Sequence, residues 1–149
     1  MSMRIIIKDG VSPELERMAR QVANRRPILE AMGQSLVSQT KQAFMNEAVR
    51  VAVWPPLKPA TIKRKGGKGG ILRGANAVMM RSIAARVINN SEVVVSTDRP
   101  YAVYHQFGTK RGLPPRPFFP FVAGRLTQEA RQKIERVAMA KIRAMLAGR

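Results

Sequence analysis

Cysteine is absent from the 149 residues, and histidine and tryptophan occur once each. Without cysteine there is no disulfide and no thiolate metal site, a composition suited to a reducing cytoplasm. A fold must then rest on an apolar core, which a single domain spanning residues 1–149 is long enough to bury. Acidic residues are also scarce, nine Asp and Glu against 27 Lys and Arg, and the formal net charge is +18. Such a balance attracts polyanions or acidic protein neighbours. Long apolar runs are missing as well. The Ile5-Ile6-Ile7 triplet is too short for a signal peptide, and nothing approaches the roughly 18 residues of a membrane span. We therefore expect a soluble chain with no membrane partner.

The same scarcities narrow the chemistry. His105 is the single imidazole, and no G-x-S-x-G elbow accompanies it. A packed, hydrogen-bonded histidine in a turn is the reading we adopt. Only Asp98 lies near it, too few ligands for a metal. The run Gly66-Gly67-Lys68-Gly69-Gly70 lacks the spacing of a phosphate loop and follows a Trp-Pro-Pro loop where a strand would be needed. No enzyme activity and no cofactor are expected.

What is present reads as an α+β domain, a small and mostly antiparallel sheet packed by long helices. Residues 3–8 (MRIIIK) suit a strand. Ser12 and Pro13 open a helix carrying Leu15, Met18, Ala19 and Val22, and Arg25-Arg26-Pro27 ends it. A second helix is expected over 27–48, with Leu29, Met32, Leu36, Ala43 and Phe44 on one face. Between residues 49 and 91 there are nine basic residues and no acid. Its glycines and prolines predict a long, mobile basic loop over 51–74. A strand over 81–88, a turn at 89–91 and a strand over 92–97 make a hairpin. A short helix or turn follows over 100–107. The last helix is expected over 125–146, with Leu126, Ala130, Ile134, Val137, Ala138, Ile142 and Met145 as its stripe.

Four segments carry a resemblance. Trp54-Pro55-Pro56-Leu57, with Thr61 and Lys65 beyond it, resembles the W-x-P-L-x-x-x-T-x-x-x-K segment of phage virion-morphogenesis proteins. Ile71-Leu72-Arg73-Gly74 stands where those proteins show L-x-x-T/S-G-x-L, here with no Thr or Ser before the glycine. Tyr101-Ala102-Val103-Tyr104-His105-Gln106-Phe107-Gly108 resembles their Y-A-x-x-H-Q-x-G signature. Pro115-Arg116-Pro117-Phe118 is similar to their x-R-P-F-L run. The family comprises Mu-like virion-morphogenesis proteins and tail-completion proteins of P2-like phages. It implies a structural subunit that finishes the tail and helps join it to the head. It also implies other tail or neck proteins as partners, a homo-oligomeric ring with a hexamer as the expected state, and a place in the host cytoplasm and then the virion.

The residues themselves read as architecture. Trp54 and Leu57 are expected to anchor the loop to the body. Tyr101 and His105 share a face if the segment is helical, and Gly108 would cap it. Pro115 and Pro117 stiffen the approach to the last helix, with Phe118 and Phe119 pinning it. Lys63, Arg64, Lys65, Lys68 and Arg73 form a candidate surface for a polyanion or an acidic neighbour. The alternative reading is a non-specific nucleic-acid-binding module that uses this loop.

Overall fold

The structure, a computed structural model, describes residues 4–8, 12–66, 70–74 and 76–148. Its sheet has three antiparallel strands in the order β1-β3-β2. These are β1 (Arg4–Lys8), β2 (Ala84–Asn89) and β3 (Glu92–Ser96). Three consecutive valines, Val93, Val94 and Val95, are all buried. Side chains on a strand alternate between faces, so burial of three in a row means that both faces of the central strand are covered. Asn90 and Ser91 turn the β2–β3 hairpin, and Asn90 ties it to the body by accepting from the Arg25 amide at 3.1 Å.

Helix α1 (Pro13–Ala19) starts at Ser12, whose Oγ accepts from the Leu15 amide at 3.2 Å. Helix α2 (Arg26–Met45) lies against β2 and β3 on one side and against the C-terminal helix α6 (Gln128–Ala147) on another. The approach to the sheet depends on Gly33. A Cβ there would lie 2.7 Å from Val93 Cγ2 and 2.8 Å from Ala85 Cβ. The expected face of α2 is the buried one, with Leu29 and Leu36 at zero exposure, and Ile134, Ala138 and Ile142 of α6 join the same core. Thr40 is the polar residue of that face, and its hydroxyl donates to Leu36 O at 2.7 Å.

Several expected boundaries move. Residues 81–88 do not form one strand, because α4 (Val78–Ser82) occupies its start. Unbranched Met79 and Met80 favour a helical turn, and the Ser82 hydroxyl donates to Met79 O at 2.6 Å. Helix α2 stops at Met45, because Asn46 turns to extended backbone and caps a 3-10 turn at Glu47–Val49. Ahead of α6 the chain forms a small hairpin, β4 (Phe121–Val122) and β5 (Arg125–Leu126), around Ala123 and Gly124 with φ of 51° and 78°. The last helix therefore begins at Gln128, and Thr127 Oγ1 accepts from the Ala130 amide at 3.2 Å. Val137, placed in the apolar stripe, is exposed. The basic segment is not all loop, since α3 (Pro59–Lys65) runs through it between Pro59 at its start and Gly66 in left-handed backbone. Met3 and Lys68 lie outside the described residues.

Candidate functional site

Three of the four signature segments are laced to one another by hydrogen bonds. Trp54 is buried, and its Nε1 donates to Pro117 O at 2.9 Å. The Arg50 guanidinium lies 3.8 Å over its ring, and the Phe44 ring meets it edge-on with centroids 6.0 Å apart. Phe118 continues this cluster, 5.2 Å from Phe44 and 5.0 Å from Phe119 between centroids.

Arg116 is buried although it carries a charge. Its Nε donates to Pro55 O at 2.9 Å and its Nη2 to Pro56 O at 3.1 Å. Two successive carbonyls are thus met by two donors of one planar guanidinium, whose N–H groups are fixed in a fork. The backbone amide of Arg116 donates to His105 O at 2.7 Å. Burial lowers the affinity of the Arg116 side chain for its proton, but an arginine so far above neutrality remains a cation.

Gln106 does the corresponding work for the last signature. Its Oε1 accepts from the amides of Phe118 and Phe119, each at 3.0 Å, and its Nε2 donates to Phe119 O at 3.5 Å. Gln106 and the fully buried Ala102 lie on the inner face of α5 (Ala102–Phe107). The outer face carries Tyr101, Tyr104 and Phe107, all exposed. Gly108 ends the helix at φ 75°, and a Cβ there would lie 2.8 Å from Leu113 O. The turn that follows is closed by the Thr109 amide donating to Leu113 O at 2.9 Å, and it holds out Lys110 and Arg111.

The scaffold bounds a cleft of about 870 Å³. One wall is α3 with Lys58, Thr61, Arg64 and Lys65, and the opposite wall has Tyr101, His105 and the 111–114 turn. Leu57, Leu72 and Met79 supply apolar lining, and Arg116 reaches it from below. Five of the lining residues are Lys or Arg, and none is acidic. His105 sits half-buried against Tyr101, with ring centroids 6.1 Å apart. Its Nδ1 is buried with no hydrogen-bond partner among the described residues. Burial first, and the Arg116 charge second, hold its pKa below the ordinary imidazole value, so it is neutral near pH 7.

Most of the sequence-predicted residues fall into two groups. Leu57, Thr61, Lys65, Leu72, Tyr101, His105 and Arg116 line the cleft, while Trp54, Ala102, Gln106 and Phe118 hold its wall from the core side. Phe107 anchors nothing, being 61% exposed. Of the candidate basic surface, Arg64 and Lys65 reach the cleft, and Lys65 Nζ is already bonded to Gly70 O at 2.7 Å. Lys63 is exposed outside it, and Arg73 lies close enough to Arg50 to repel its charge. Lys58, Arg111 and the trp-stacked Arg50 were missed. Lys58 and Arg111 come together only because distant segments wall one cleft, and a single Arg four residues before Trp54 carries no period that would mark Arg50.

Among the described residues no group of three or more His, Asp or Glu side chains is placed to hold a metal, and no helix is long and apolar enough to cross a membrane. The model of the phage virion morphogenesis family matches residues 8–147. A relative, Mu-like prophage FluMu G protein 2 of Haemophilus influenzae, is 31% identical over 117 residues, which is 72% of this chain and 75% of the relative. No solved structure matches.

Proposed function

The chain belongs to the phage virion morphogenesis family and so serves in building a phage particle; from that premise we propose that it is a non-catalytic structural subunit that completes the tail and joins it to the head. The observation that carries this reading is the convergence of the signature residues. They spend their polar groups on one another's backbone, as Gln106 and Arg116 do, and so build a rigid surface in place of a reaction centre. Closed rings follow from heterologous contacts around a tail axis, and a hexamer is the ring we propose. The exposed stripe Tyr101, Tyr104 and Phe107 is apolar surface available for such contacts.

Deleting the chain from its phage tests the proposal. Filled heads and separate, unjoined tails are expected in electron micrographs of the lysate, and joined infectious particles at normal titre would refute it. The nucleic-acid reading rests on charge alone. The sole tryptophan is buried under Arg50, which removes it as a stacking platform. Submicromolar duplex binding that falls steeply with salt would restore that reading.

A further inference from the structure

We propose that the cleft between α3, α5 and the 109–113 turn is a docking site for an extended, acidic segment of a different virion protein, with carboxylates meeting Arg64 and Arg111 and apolar side chains seated on Leu57, Leu72 and Met79. This deepens the assembly reading and rests on it.

The charge of the cleft is one-sided. Lys58, Arg64 and Arg111 stand on opposing walls, each exposed, with no acid in the lining to pair with them. Below them Arg116 is buried and bonded only to carbonyls. A buried cation beside a concave, partly apolar space raises the local potential more than a solvated one does, because field lines concentrate in low dielectric. Guanidinium groups also match carboxylates in a planar, two-bonded geometry.

The occupant follows from two exclusions. A second copy of this chain is a poor source of carboxylates, since it carries nine acids against 27 bases. A nucleic-acid backbone needs cations spread along an open surface, whereas here they rim a recess with apolar walls. Such a recess accepts side chains that alternate acidic and aliphatic, as an extended peptide presents them.

The test uses the purified full-length chain and labelled synthetic peptides, read by fluorescence polarisation. The probes are an alternating Glu/Leu peptide, a poly-Glu peptide of equal length and a short DNA duplex. The variants are the double change Arg64→Glu with Arg111→Glu, and a charge-matched control, Arg131→Glu with Arg143→Glu, on the exposed side of α6. Circular dichroism melts establish that both fold. The Glu/Leu peptide should bind best and lose about tenfold or more in affinity in the cleft variant, while the control stays near the parent value. Equal loss in the two variants, poly-Glu binding as well as Glu/Leu, or no peptide binding at all overturns the proposal. Duplex binding that outcompetes the peptide and fails in the cleft variant also overturns it and assigns the site to nucleic acid. Complementation separates this inference from its premise. If the parent chain restores joined particles and the cleft variant does so equally well, the docking site falls and the assembly reading stands. If the parent chain proves dispensable for joining, the assembly reading itself falls.

Discussion

The body of the molecule and its cleft side are held together by different forces. In the body, α2, α6 and the sheet bury Leu29, Leu36, Ile134, Ile142, Val93 and Val95 against one another, and the backbone bonds run within each helix or between the paired strands. On the cleft side, single polar side chains hold segments about 60 residues apart in sequence, Arg116 to Pro55 and Pro56 and Trp54 to Pro117. Apolar packing is spread over many atoms and degrades in proportion to the volume removed. A hydrogen-bonded clasp leaves orphaned groups when one partner goes. The body should therefore set stability, and the clasp should set the shape of the surface.

The largest expected effect tests the body. Leu36→Ala, at a fully buried position, should cost about 2–5 kcal/mol in urea unfolding. A loss below 1 kcal/mol, on the order of a surface change, would break the contrast. Next comes the clasp. Gln106→Leu keeps the volume but strands the amides of Phe118 and Phe119, a cost of about 1–3 kcal/mol in all where the loosened segment lets water reach them. Proton exchange at those two amides should rise together, and exchange unchanged from the parent would show that Gln106 holds nothing. Gly33→Ala should be smaller, a net loss of about 1 kcal/mol. Overpacking of roughly 1–3 kcal/mol against Val93 and Ala85 is partly offset by the better helix propensity of alanine. A stabilised variant would mean that α2 can move off the sheet.

The smallest effect is the pH response of His105. Its folded pKa is depressed, so the unfolded chain binds the proton more readily. Stability should be full above about pH 6.5 and decline as pH falls through the ordinary imidazole range. Because the chain has one histidine, the decline should vanish in His105→Gln. A slope that persists there assigns the response to other groups. The amides of α3 should also exchange faster than those of α6, since α3 buries no residue, which keeps the expectation of a mobile basic segment open to measurement.

How much of this was legible in the sequence follows the same division. The long helices could be read because their burial repeats every 3.6 residues, β2 because its apolar residues alternate, and the central strand because it is a bounded run of β-branched valines. The helical spacing of Leu29, Met32, Leu36 and Phe44 marks the inner face of α2, and all four are buried. The functions of Gln106 and Arg116 could not be read, although both stood in recognised motifs. Their partners are backbone groups up to 61 residues away, and a single polar residue carries no period. Helix α3 was obscured by the glycines and prolines at its ends, which are its caps as well as loop formers. The α4 turn was hidden by Ile83, Ala85 and Val87, whose alternation begins at the strand and was extended too far back.

The long separation between Trp54 and Pro117, 63 residues, bears on when the docking surface comes into being. Closing so large a loop is entropically costly until the intervening hairpin and α5 are in place. Local helices and the hairpin should form first, and the clasp should close afterwards. As the only tryptophan, Trp54 reports that closure by its own fluorescence in a stopped-flow refolding experiment. A chain that has collapsed without finishing would then present no cleft to a neighbour. Incomplete subunits would be kept out of the growing particle by the order of folding itself, with no separate inspection step.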